Sequence, residues 1–182
     1  MLHDAWNIRD AGIDDARAIA EVHVESWKSA YRGIFPDALL DGLSVEQRES
    51  RWRDLLATPG PSSAITLVGC EAGGRVVGFA SGGTERTGEL GCDGELCALY
   101  LRPEAQRKGL GALLVQQFAQ ELYARGFDSM AVRVLERNPA RKFYERLGGK
   151  FVGRQEIERG GETFIEVAYG WLNLNVFFDS RE

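Results

Sequence analysis

Gly94-Glu95-Leu96-Cys97-Ala98-Leu99-Tyr100-Leu101-Arg102-Pro103 runs on to Gln106-Arg107-Lys108-Gly109-Leu110-Gly111-Ala112-Leu113-Leu114, and the reading of this passage decides the fold. Its first part is a short apolar run that reads as a strand, Gly94 to Leu101, and Pro103 ends it. Its second part opens a helix over 106–125, closed by Gly126, with Leu110, Leu113, Leu114, Phe118 and Leu122 recurring on one face. Ser129 to Leu135 is the next strand, so strand, crossover helix and strand imply a parallel pairing. Gly109 and Gly111 lack a Cβ, which lets an anion approach the main chain, and the unpaired N–H groups and dipole of a helix start favour it there. Arg107 and Lys108 add charge at the same place.

Outward from this centre the period changes. Ala64 to Glu71 and Arg75 to Gly82 are β-branched runs joined at Gly73-Gly74, and Lys150 to Arg159 meets Thr163 to Leu172 across Gly160-Gly161, so two hairpins are expected. Asp14 to Ala30 carries Ala16, Ile19, Ala20, His23, Val24 and Trp27 at helical spacing. A second helix runs over 44–57, where Ser44-x-x-Gln47 fits a capping box, and Pro139 to Leu147 is a short third. The best break is Thr58-Pro59-Gly60-Pro61-Ser62-Ser63, too short to separate domains. One domain over 1–182 is expected, an α/β or α+β fold with a helical segment at about 1–60 and a core at about 64–172.

The bulk composition narrows the function classes. With 182 residues, 44% of them hydrophobic and 27% charged, the chain can bury a real core. It opens with neither a basic start nor a long apolar run, so no membrane association is expected and the cytoplasm is the default location. Cys70, Cys92 and Cys97 form no Cys-x-x-Cys pair, and His3 and His23 lie far from them, so neither a disulfide framework nor a metal site is expected. A net charge of −5 argues against nucleic acid, yet residues 101–150 hold ten Lys/Arg against five Asp/Glu. A local cationic region on an acidic protein suits a small polyanion. A P-loop needs Gly-Lys-Ser/Thr, which is absent, and a dinucleotide fingerprint needs a small residue where Leu114 stands.

Gln-x-x-Gly-x-Gly after a strand ending Leu-Tyr-Leu-Arg-Pro resembles motif A of the GNAT superfamily of N-acetyltransferases. Asn138-Pro139-Ala140-Arg141-Lys142-Phe143-Tyr144-Glu145-Arg146-Leu147-Gly148-Gly149 resembles the family's motif B, in the right order. The resemblance covers roughly residues 64–172 and implies a mixed central sheet of about seven strands flanked by about four helices. It further implies acetyl-CoA as co-substrate and transfer to a small-molecule or peptide amine in a ternary complex. The alternative of another class is a non-catalytic acyl-CoA sensor.

Site roles follow from the resemblance. The main chain along Leu99, Tyr100 and Leu101 would pair with pantetheine like an added strand. Gln106, Arg107, Lys108, Gly109, Leu110, Gly111 and Ala112 would hold the pyrophosphate. Asn138 would meet the pantetheine amide, and Arg141 or Lys142 the 3′-phosphate. Tyr144 would protonate the departing sulfur, and a backbone N–H near Leu99 would polarise the carbonyl. Glu95, with a pKa raised by an apolar strand, or else water would take the amine's proton. Cys97, sharing a face with Glu95 in an unbulged strand, reads either as an acyl carrier or as a small buried hydrophobe. Trp27 and Tyr31, with Phe35 and 156–166, stand on the acceptor side. The apolar end Trp171 to Phe178 packs on the domain or on a second subunit, which makes a homodimer an expectation.

Overall fold

Burial of one face of each helix against a sheet organises the chain, and α4 (Leu110–Ala124) shows how: Leu110, Leu114, Phe118 and Leu122 are buried as their spacing predicts, joined by Val115 and Ala119, while Leu113 is only half-buried. Each of the larger ones contributes about 1.5–3 kcal/mol by leaving water. The computed structural model describes residues 6–57 and 64–178, so the Pro/Gly/Ser break at 58–63 lies outside the described residues. Along the chain come β1 (Trp6–Asp10), α1 (Ala16–Ala30), α2 (Asp37–Asp41), α3 (Val45–Ala57), β2 (Ile65–Glu71), β3 (Val76–Thr84) and β4 (Gly94–Leu101). After α4 follow β5 (Met130–Leu135), α5 (Arg141–Arg146), β6 (Lys150–Arg159) and β7 (Glu162–Trp171).

The seven strands form one sheet in the order β1-β2-β3-β4-β5-β7-β6. Only β4 and β5 run parallel; every other neighbour is antiparallel, and both expected hairpins, β2–β3 and β6–β7, are present. One face carries α4 and the main core, built from Leu96, Val132, Val134, Tyr144, Val167, Tyr169 and Trp171. The opposite face carries α1 and α3 over Val68, Cys70, Val76 and Phe79, with a smaller cluster of Phe35, Leu40, Leu135 and Phe164 beside it. Leu110 seats the start of α4 against Gly69 of β2, where a Cβ would lie 2.7 Å from its Cδ1 and push the leucine aside.

Three features differ from the sequence reading. The strand β1 and the single-turn α2 are additional, because five residues show too little of either period to be read. Helix α4 starts at Leu110 instead of 106, since Arg107 and Gly109 take left-handed backbone angles (φ 57° and 90°) that no helix contains. The capping box is half made: Ser44 Oγ accepts from the Gln47 N–H at 3.2 Å, while Ser44 itself donates to Glu46. At the other end Leu174 and Phe177 are buried in the chain's own core and Gln116 Nε2 donates to the Phe177 carbonyl at 3.0 Å. Packing on the domain therefore accounts for Trp171, Leu174 and Phe177, while Leu172 and Val176 of the same segment stay exposed.

Candidate active site

The parallel pair β4–β5 is joined only at Gly94–Met130, Glu95–Ala131 and Leu96–Val132. On the other side of β4 the register steps from Gly82–Leu96 to Ser81–Ala98, leaving Cys97 as an extra residue, a β-bulge. The bulge bends β4 away from β5 at the residue where their pairing stops. Gly82 permits it: a Cβ there would lie 2.0 Å from the Glu95 carbonyl oxygen. Beyond the bulge the Arg102 N–H donates to Val77 O at 2.8 Å, so by the alternation of an antiparallel ladder the N–H and C=O groups of Leu99 and Leu101 face the opened side. The carbonyl of Leu101 is already engaged by Ser26 Oγ and Gln106 Nε2, each at 3.1 Å. The Tyr100 side chain points to the other face, stacked on His23 at 5.1 Å.

At the mouth of this opening, 106–109 form an anion-shaped turn. Arg107 and Gly109 in the left-handed region turn successive N–H groups to one side, as in a nest. The Lys108 carbonyl accepts from Trp6 Nε1 at 3.2 Å, so the Gly109 N–H of the same planar peptide points away from β1. Nothing lies within 4 Å of a Cβ built on Gly109, whereas one on Gly111 would touch Phe143 at 3.4 Å. Arg107 and Lys108 make no ion pair among the described residues.

Residues 138–144 close the far side. Asn138 is buried, and its Oδ1 accepts from the Ala140 N–H at 2.9 Å, leaving the Nδ2 donor for a ligand. Arg141 is engaged, donating to Tyr169 Oη at 3.1 Å and the Glu136 carbonyl at 2.9 Å, which makes Lys142 the cation of the pair without an ion-pair partner among the described residues. Tyr144 is buried against Phe143 and Trp171, has no hydrogen-bond partner among the described residues, and burial raises its pKa above the ordinary phenol value.

The opposite, α1-side face corrects the reading of Glu95. Its side chain is fully buried, yet Arg86 binds it through Nη2 at 2.6 Å and Nε at 3.0 Å, and Arg133 through Nη1 at 2.7 Å. Desolvation works against the charge, but the two guanidinium bonds outweigh it and hold the carboxyl below its usual range. Glu95 is thus a fixed anion, not a base with raised pKa. Arg133 also binds Glu85 at 2.8 Å, and there too the bonds to Arg133 and Thr87 overcome desolvation, holding Glu85 at about 2.

Cys97 fits neither expectation. Cys97 is the extra residue of the bulge, its thiol stays within the field of Glu95, Arg86 and Arg133, and the residue is exposed. Although the residue is exposed, the surroundings of its sulfur are crowded. Desolvation, then the Glu95 charge, push the thiol up to about 11. Trp27 and Tyr31 do stand together, ring centroids 5.0 Å apart, beside Phe35 and Tyr100.

Gly82, Arg86, Arg133 and Trp6 escaped the sequence reading. Arg133 alone left a signal, a charge in the middle of the apolar strand Ser129 to Leu135.

A mixed sheet splayed beside a phosphate-shaped turn at a helix start defines an acyltransferase-type α/β domain, and the comparisons agree. The family model FR47-like protein matches residues 84–157. The uncharacterized N-acetyltransferase YuaI of Bacillus subtilis is 37% identical over 168 residues, 92% of this chain and 94% of that one. The L-methionine sulfoximine/L-methionine sulfone acetyltransferase of Pseudomonas aeruginosa is 28% identical over 174 residues, covering 93% of this chain and 95% of its own. The spermidine N(1)-acetyltransferase of Thermoplasma acidophilum is 25% identical, covering 89% and 96%. Among solved structures, the PaiA N-acetyltransferase of Thermoplasma acidophilum in complex with coenzyme A has a TM-score of 0.64 at 22% identity, covering 90% of this chain and 98% of that one, and shares the fold. The chain belongs to the GNAT superfamily of N-acetyltransferases. Among the described residues no helix is long and apolar enough to cross a membrane, and no group of three or more His, Cys, Asp or Glu could hold a metal ion.

Proposed function

We propose that this chain transfers the acetyl group of acetyl-CoA to a primary amine by direct attack in a ternary complex. The observation that carries the reading is the bulge at Cys97 with the end of the β4–β5 pairing at Leu96, which leaves the Leu99 edge of β4 open toward the side of the following strand β5. The residues fit the co-substrate. The nest, Arg107 and Lys108 suit a pyrophosphate, the main chain of Leu99 to Leu101 an amide-bearing arm, Asn138 Nδ2 an amide carbonyl, and Lys142 a terminal phosphate.

Acetyl-CoA supplies a thioester already activated toward amines. The chain's own residues do the rest. A main-chain N–H at the bulge, near Leu99, polarises the carbonyl without a side chain. Tyr144, kept protonated by burial, donates its proton as the C–S bond breaks, so the sulfur leaves as a thiol and the phenolate regains a proton from water. The new C–N bond forms from the neutral amine, and its surplus proton leaves to water, because Glu95 is held as an ion by Arg86 and Arg133. Direct transfer is favoured over an acyl-cysteine route by the Cys97 thiol, which is protonated at neutral pH.

Calorimetric titration with acetyl-CoA, CoA and longer acyl-CoAs, followed by thiol release over a panel of amines, tests this. Binding with amine-dependent release is expected. Tight binding with no release for any amine would point to the sensor function, and absence of binding would overturn both.

A further inference from the structure

The aromatic wall on the acceptor side carries two donors that lack a well-formed hydrogen bond among the described residues. Arg48 of α3 lies over the Trp27 ring with Cζ 5.4 Å from the centroid, half-buried and with no hydrogen bond or ion pair among the described residues. Arg51, one turn further along α3, likewise has no ion pair among the described residues, and its charge works against that of Arg48. A partly desolvated guanidinium normally acquires a carboxylate, and eleven other arginines among the described residues have done so. The second donor is Trp27 Nε1, buried and turned toward the Tyr100 hydroxyl without reaching hydrogen-bonding geometry. Trp27 Nε1 has the Tyr100 hydroxyl beside it, so Arg48 is the group that an acceptor from outside the chain would satisfy.

The opposite charge stands at the other end of the wall. Glu166 of β7 lies on the same sheet face as Phe164, which packs on Phe35, and its carboxylate is held by Gln155 Nε2 at 2.8 Å. Burial is the main cause that raises the Tyr31 and Tyr100 phenols, and the nearby Glu166 charge adds a smaller push to both. From the guanidinium to the Tyr100 ring is no more than two ring steps, 5.4 Å to Trp27 and 6.5 Å on from it.

We infer that the acceptor is an amine that also carries a carboxylate, with the carboxylate on Arg48 against Trp27 and the amine directed along Tyr31 and Tyr100 toward Tyr144. Resting on the transferase reading above, this narrows it to zwitterionic acceptors and away from polyamines, whose cationic chain would meet Arg48 and Arg51.

The test compares matched acceptors: leucine, leucinamide and isoamylamine, with dipeptides to separate a free amino acid from a peptide carboxylate, and spermidine as the polycation. Wild-type enzyme should prefer the carboxylate-bearing members. Arg48→Met should raise their KM roughly 10- to 100-fold, the loss of one charged hydrogen-bonded contact, and leave the KM for acetyl-CoA and for leucinamide unchanged. Arg48→Lys should recover part of the loss, and unchanged melting and circular dichroism would show that both variants fold. Equal or better use of leucinamide, isoamylamine or spermidine by wild type, or indifference of leucine turnover to Arg48→Met, would overturn the inference while leaving the transferase intact. Should no amine release thiol, the transferase reading falls separately. The carboxylate is then read by calorimetry of N-acetylleucine against N-acetylleucinamide in the presence of CoA. Carboxylate-dependent binding lost in Arg48→Met supports the site, and equal or absent binding overturns it.

Discussion

Gly82→Ala places one methyl group where the structure has no room for it. The added Cβ would lie 2.0 Å from the Glu95 carbonyl oxygen, 3.0 Å from its carbon and 2.8 Å from Phe118 Cζ. The Phe118 ring can rotate aside, but the carbonyl belongs to β4 itself, so the strand must withdraw by more than about 1 Å or give up its bulge. Either response costs about 1–3 kcal/mol of stability as overpacking. The functional cost is larger, because the bulge ends the β4–β5 pairing at Leu96 and so sets the position of the N–H groups beyond it. A shift of that size at the reacting carbonyl lowers kcat by roughly 100-fold. Steady-state thiol release and thermal melting measure the two effects, and Gly73→Ala, whose Cβ would meet nothing within 4 Å, is the control. A Gly82→Ala enzyme with wild-type kcat and melting temperature would refute the link between this glycine, the bulge and the opened sheet.

Three further outcomes are expected. His23 is buried, accepts from Trp52 Nε1 at 3.3 Å through Nδ1, and desolvation, then Arg48, lower its pKa to about 3. Its folded value lies below the unfolded one, so the unfolded chain binds the proton first and stability falls as pH drops from about 6.5 toward 3. About 2 kcal/mol is lost by pH 5, and denaturant titrations at pH 7 and 5 should show a slope that His23→Asn flattens. Arg133→Met leaves the buried Glu85 without its guanidinium and Glu95 with only Arg86. It should cost about 3–5 kcal/mol, a fall of about 10 °C in melting temperature. Tyr144→Phe should lower kcat by roughly 100-fold while calorimetry finds the acetyl-CoA affinity unchanged; an unaltered rate would remove its role as the proton donor.

What the sequence discloses is whatever repeats or punctuates. The hairpins at Gly73-Gly74 and Gly160-Gly161, the strand Gly94–Leu101 and the buried stripe of α4 all lie where period and glycine put them. The anion turn is legible as two basic residues followed by glycines, though not its left-handed Arg107, because an arginine does not announce that conformation as a glycine does. Nor is the bulge legible: one unpaired residue leaves Leu96, Ala98 and Tyr100 looking like an unbroken strand, and its cause, Gly82, lies on a neighbouring strand. Glu95 fails for a related reason. Its pKa depends on Arg86 and Arg133, which stand 9 and 38 residues away and are brought to it only by the sheet.

The buried ions and the opened cleft are parts of one device. Arg133 on β5 and Arg86 on the segment after β3 both grip Glu95, two residues before the bulge, so three chain segments are tied together at the last place where β4 and β5 pair. A splayed sheet left to itself would close by re-forming its ladder, since unpaired N–H and C=O groups seek partners. Here the Glu95 carboxylate and Gly82 hold the near side while the Ser26 and Gln106 side chains hold the Leu101 carbonyl at the far end, and the stretch between, centred on Leu99, stays available to an arriving amide-bearing chain. On this account Glu95 positions the catalytic main chain and takes no proton. Glu95→Gln should therefore lower kcat without moving the pH dependence of the rate, whereas loss of a general base would shift that profile.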